Sequence, residues 1–167
     1  MRAGKYLIGL LAALLLIGAG PSQQALEGTS GLKVPRFVSL SANEANMRAG
    51  PGENYPIVWV YQRKGLPVEV IAEYNIWRQV RDVEGVTGWF NKNLISGKRT
   101  ALVRDTLVTG FADADERSRA VFRLEAGVSV PLLSCKGFWC RVEAAGRKGY
   151  VPRRSLWGLY PNEDIED

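Results

Sequence analysis

ANMRAGPGENYPIVWVYQRKGLPVEVIAEYNIWRQVRDVEGVTGWFNKNLI, residues Ala45 to Ile95, decides the fold of this chain. Arg48 to Gly52 (RAGPG) opens a turn-rich loop, and Ile57–Tyr61 is a short apolar run. A Lys64–Gly65 turn leads into Val68, Val70 and Ile71; Tyr74–Asn75 turns into Ile76–Arg81; Gly85 turns into Gly88-Trp89-Phe90. β-Branched and aromatic segments at about ten-residue spacing, punctuated by Gly, Pro and Asn, predict a small all-β barrel or sandwich.

Working outward, the second half of the chain repeats the first. A shift of 62 lays Leu40 on Leu102, Gly65 on Gly127, Val68 on Val130, Trp77 on Trp139 and Val80 on Val142. After a one-residue deletion Gly88-Trp89 meets Gly149-Tyr150, and a one-residue insertion restores Leu94 on Leu156. A period near sixty that keeps turn glycine, strand aromatic and closing leucine implies a duplicated unit. The opening loop departs most, since RAGPGENY becomes Gly110–Arg117, GFADADER. Little helix is expected: a turn at Asp113–Ser118, and short 3₁₀ turns at Lys92–Leu94 and Arg153–Ser155 before each unit closes.

The ordered set Asn46-Met47-Arg48-Ala49-Gly50-Pro51-Gly52, Lys64-Gly65, Trp77 with Val80, Gly88-Trp89 and Leu94 resembles the bacterial SH3 domain family. The resemblance implies an all-β chain of two tandem SH3-like barrels, at residues 36–97 and 101–158. Residues 1–25 read as a signal peptide, 26–35 as a linker and 159–167 as a loose acidic tail. In the targeting segment, Arg2 and Lys5 precede the fourteen-residue apolar run Tyr6–Ala19, short for a membrane span. No Cys lies near that run, which argues against a lipid anchor; an uncleaved N-terminal anchor is the alternative, and the one route to membrane attachment. A periplasmic or secreted protein is the expectation.

Composition narrows the function. Beyond the first 25 residues there are 20 Lys and Arg against 17 Asp and Glu, too even a balance for a nucleic-acid binder. The chain has no His, which removes the usual general base and the commonest metal ligand together. Asp113, Asp115 and Glu116 lie close in sequence, but beside Arg117 and Arg119 in a loop they read as a solvated cluster rather than paired catalytic carboxylates or a calcium loop. No catalytic residue, metal or cofactor is expected.

Cys135 and Cys140 flank Lys136–Trp139. A two-residue turn at Gly137-Phe138 sets Lys136 opposite Trp139 and the two cysteines opposite each other, within reach of a disulfide in an oxidising compartment. The reactive-thiol reading is the weaker one, because no His is present to activate a thiolate.

By the resemblance, each barrel carries a shallow groove suited to extended peptides. In the first barrel Arg48, Tyr55, Tyr74 and Trp77 are the candidate ligand-binding residues. Arg48 has the competing role of pinning its loop, and Trp77 that of packing; Trp89 is expected in the core. In the second barrel, Trp157–Pro161 is expected to pack over an open end, and Arg147, Lys148, Arg153 and Arg154 form a basic patch. The expected function is non-catalytic binding of peptidoglycan or other peptides in the cell envelope. The alternatives are a scaffold subunit that binds another envelope protein, through exposed strand edges among other surfaces, and an accessory or remnant of a cell-wall hydrolase.

Overall fold

The structure is a computed structural model that describes residues 26–166. The signal-peptide reading falls outside them. A short hairpin, β1 (Leu26–Glu27) with β2 (Lys33–Val34), precedes the first barrel. That barrel comprises β3 (Arg36–Leu40), β4 (Ala45–Arg48), β5 (Ile57–Tyr61), β6 (Pro67–Tyr74), β7 (Trp77–Arg81), β8 (Thr87–Asn91), a 3₁₀ turn at Lys92–Leu94 and β9 (Ile95–Ser96). The second comprises β10 (Thr100–Val103), β11 (Leu107–Phe111), β12 (Ala120–Glu125), β13 (Ser129–Lys136), β14 (Trp139–Ala144), β15 (Arg147–Pro152), a 3₁₀ turn at Arg153–Ser155 and β16 (Leu156–Trp157).

Strand order is β5-β4-β8-β7-β6-β3-β9 in one sheet and β12-β11-β15-β14-β13-β10-β16 in the other, one permutation used twice. The duplication read from the sequence is thus a duplication of topology. It extends to irregularities: register shifts fall at Val70/Ala72 in β6 and at Leu132/Ser134 in β13. Alternation along the strands fills each interior. Val38, Leu40, Ala45, Met47, Val68, Val70, Val80 and Phe90 close the first core; Ala101, Val103, Val108, Leu124, Val130, Leu132, Val142 and Val151 close the second.

Several sequence expectations are corrected. Residues 26–35 are not a plain linker: they form the β1–β2 hairpin, and Val34 joins the first core. Trp89 is half-exposed while Phe90 is fully buried, because the strand pleat turns only alternate residues inward. Asp113–Ser118 forms turns without a helix. The tail is anchored rather than loose. Cys135 N–H donates to Ile165 O (2.8 Å), Ile165 N–H donates back to Cys135 O (3.0 Å), and Arg99 grips the Glu163 carboxylate.

One barrel leans on the other. Phe37 of β3 packs edge-on against Trp157 (5.1 Å between centroids) and tilts against Tyr160 (4.9 Å). Tyr160 Oη donates to Glu69 Oε1 (3.0 Å), Arg63 Nη1 donates to Gly127 O (2.9 Å), and the Ser39 and Thr100 hydroxyls meet at 2.6 Å. The packing role expected of Trp157–Pro161 is therefore found at the junction between barrels.

Candidate functional site

Each barrel presents a cleft between its opening loop, its central hairpin turn and its 3₁₀ turn. In the first barrel the RAGPG loop is held by Arg48, whose Nη1 donates to Glu53 O (2.9 Å) and Tyr55 O (2.7 Å). That guanidinium satisfies carbonyls that the tight loop leaves without ladder partners. Tyr55 stacks beneath the loop, where a Cβ at Gly50 would collide with its ring, which is why a glycine stands there.

Trp77 pairs with Tyr74 across the β6–β7 turn. Trp77 is 7% exposed, whereas Tyr74 is 55% exposed and Tyr55 47%. Arg48, Glu53, Trp77 and Leu94 line a small cleft of about 200 Å³. The structure brings Arg48 and Trp77 together there; Tyr55 and Tyr74 lie outside its lining.

The equivalent cleft of the second barrel is larger, about 530 Å³, and its chemistry differs. Phe111 stands where Arg48 stands, each pairing with the aromatic of its closing strand, Tyr150 and Trp89. Phe111 packs edge-on against Trp139 (6.1 Å). Gly137, at φ +56°, turns the β13–β14 hairpin so that Phe138 projects 88% exposed over the cleft. Trp139, Leu156 and Trp157 form the floor, and Arg104 and Arg154 rim it.

Beneath that rim Arg153 is buried, its Nη1 donating to the carbonyls of Tyr160, Pro161 and Glu163. Its Nε is buried without a partner. Of the basic patch read from sequence, Arg153 is thus structural, whereas Arg154 faces solvent and reaches Glu116 at only 3.7 Å. Sequence reading placed the ligand residues in the first barrel and missed this cleft. The signal was present in the adjacent Phe138-Trp139 and Arg153-Arg154, but only folding sets the two pairs opposite one another.

The two cysteines and the acidic loop are engaged with partners of their own. Cys135 and Cys140 are joined in a disulfide as directly opposed partners, Cα atoms 4.1 Å apart, so neither is a thiol. Asp115 accepts from Arg117 N–H (2.9 Å) and from its guanidinium, and these bonds lower its pKa, the wrong direction for a general acid. Among the described residues no helix is long and apolar enough to cross a membrane.

A family model described as the bacterial SH3 domain matches residues 41–97 and 105–158. No curated protein matches the chain at a significant level. Among solved structures, NlpC2 from Trichomonas vaginalis is similar at 14% identity and a TM-score of 0.34, over 74% of this chain and 48% of that one. NlpC1 from the same organism is similar at 15% identity and a TM-score of 0.35, over 83% and 51%. An NlpC/P60 family protein from Bacillus cereus is similar at 12% identity and a TM-score of 0.33, over 72% and 55%. This chain spans about half the length of each.

Proposed function

From the premise that the chain belongs to the bacterial SH3 domain family, in two tandem copies, we propose that it is a non-catalytic binding module of the cell envelope. Its ligands are short peptides, with peptidoglycan stem peptides as the first class to test, and it works as an exported protein outside the reducing cytoplasm. The observation that carries this reading is the second-barrel cleft, where aromatic faces lie beneath a rim of exposed guanidinium groups. Flat apolar surfaces bind extended chains with little ordering cost, and arginines add charge-assisted hydrogen bonds to carboxylates. The smaller first-barrel cleft, with Arg48 and Trp77 and with Tyr55 and Tyr74 on its approaches, is a second, weaker site. Two linked sites raise avidity through effective concentration.

The non-catalytic part of the reading is supported by the absence of any His, the closed disulfide and the solvated acidic loop. Co-sedimentation with purified peptidoglycan sacculi tests the proposal. The intact protein is expected to pellet with sacculi. Phe138→Ala with Arg154→Ala, two exposed substitutions that leave the core intact, is expected to weaken this by about tenfold or more. No co-sedimentation, or binding indifferent to both clefts, overturns it. A specific envelope protein recovered in its place would favour the scaffold alternative.

A further inference from the structure

Strand β5 ends the first sheet's strand order, so among the described residues one of its backbone edges has no neighbouring strand. Four successive apolar side chains on it are exposed: Ile57, Val58, Trp59 and Val60. From Asn54 to Gln62 there is no charged residue. Soluble proteins blunt such edges with charges, prolines or covering side chains, because a bare apolar edge templates pairing with another strand.

The second barrel puts charge on this strand where the first has none. Its counterpart strand, β12, carries Arg123 and Glu125, and Arg147 Nη1 reaches across to Val121 O (3.4 Å). Trp59 stands outside because its place in the interior is already taken. By strand partner it corresponds to Phe122: Trp59 pairs with Met47, and Phe122 with Gly110. In the second barrel Gly110 and Gly149 leave a space that the Phe122 ring fills, packed on the core. In the first barrel Met47 fills that space itself, against Gly88. Trp59 thus has no core duty and is 56% exposed.

We propose that β5 is a self-docking edge, along which two copies of this chain pair antiparallel about a two-fold axis at Val58. Charge selects this occupant and this direction. Glu53 precedes the uncharged run, and Arg63, five residues from Val58 on the other side, follows it with Lys64 next, the Arg63 guanidinium giving one of its nitrogens to Gly127 O. Antiparallel pairing centred there brings the acidic end of each strand to the basic end of its partner, twice, whereas parallel pairing would set like charges together. The two-fold also opposes Val58 to itself and Ile57 to Trp59 of the second copy, apolar pairs of the kind that stabilise sheets. Beside the strand, Trp59, Tyr61, Val83 and Val86 border a hollow of about 210 Å³ that offers room to a partner side chain.

Sedimentation equilibrium of the chain, as recovered from cells expressing its full sequence, is the test. Mass is expected to rise with concentration toward twice the monomer. Val58→Lys, which sets two ammonium groups face to face on an exposed edge, is expected to weaken association by at least about tenfold without altering the circular dichroism, or the melting temperature at concentrations where both proteins are monomeric. Val58→Cys is expected to give a cross-linked dimer on mild oxidation, while Leu107→Cys, exposed on the second barrel, does not. A monomer at every concentration overturns the proposal, as does a dimer that survives Val58→Lys. Association abolished by Val58→Lys without cross-linking of Val58→Cys overturns the two-fold at Val58. Capture of a different protein by β5, with no self-association, overturns the choice of occupant.

Discussion

Glu73 is the residue on which the start of the described chain converges. Its buried carboxylate accepts from Ser30 N–H (2.7 Å), Ser30 Oγ (2.9 Å), Arg36 Nη2 (2.6 Å) and Arg78 Nε (3.0 Å). Burial alone would raise its pKa, but the hydrogen bonds from Ser30 and Arg36 outweigh it and hold the carboxyl below its ordinary value. Glu163 shows the same balance: burial raises its pKa, and Arg99, Tyr160 N–H and Arg153 together bring it lower. A depressed carboxylate adds stability above its unfolded pKa of about 4.3 and loses it as pH falls through the folded value. Acid titration followed by fluorescence is therefore expected to show stability constant near neutrality and declining below about pH 4.3. Glu73→Ala strands the buried Arg78 guanidinium and is expected to cost about 3–5 kcal/mol in urea unfolding.

The same residue has a counterpart that sequence patterns do not suggest. Glu73 opposes Arg78 across β6–β7 as Cys135 opposes Cys140 across β13–β14, and the shift of 62 maps one onto the other. One cross-strand position thus carries an ion pair in the first barrel and a disulfide in the second. Glu73→Cys with Arg78→Cys is expected to form a second disulfide on air oxidation, read as the absence of free thiol in the unfolded protein.

Among elements, the β13–β14 hairpin is the most constrained. Its covalent closure removes denatured-state entropy worth about 2 kcal/mol for so short a loop. Cys135→Ala with Cys140→Ala is expected to lower the unfolding midpoint accordingly, with reductant leaving the variant unchanged. The β11–β12–β15 corner rests on Gly110 instead. A methyl group there would enter the Phe122 ring, so Gly110→Ala is expected to cost about 1–3 kcal/mol through overpacking, measured by the same unfolding curves. Both barrels also cover the outer part of their long strand. The N-terminal hairpin covers β6 at Glu73, and the tail covers β13 at Cys135, so the two ends of the described chain protect equivalent edges.

At the scale of the whole molecule, the tail also couples the barrels. Tyr160 joins Phe37 and Glu69 of the first barrel, Glu163 holds Arg99, and Arg153 donates to the carbonyls of Tyr160, Pro161 and Glu163. Deletion of 160–167 removes Tyr160 from Phe37, takes the Glu163 carboxylate from Arg99 and the tail carbonyls from Arg153, and frees the outer side of Cys135. The truncated protein is expected to melt earlier and in two transitions, one for each barrel, where the intact chain shows one; calorimetry separates the cases.

The fold was legible because its signals are local: turn glycines, alternating apolar residues and a repeated spacing name strands and their number whatever surrounds them. The 3₁₀ turns and the cysteine pairing were legible for the same reason, each resting on a few adjacent residues. What the sequence could not weigh was competition for space and partners between distant segments. It put Trp89 inside, where the pleat selected Phe90, and it left the tail loose, although Arg99 and Cys135 hold it. By itself the sequence determined two SH3-like barrels, a disulfide hairpin and a chain without His-based chemistry. Only the tertiary structure decided that Phe138 and Arg154 border one cleft and that Trp59 stands in solvent, because those outcomes depend on which of two side chains fills a shared volume and on segments that meet only after the strands have paired.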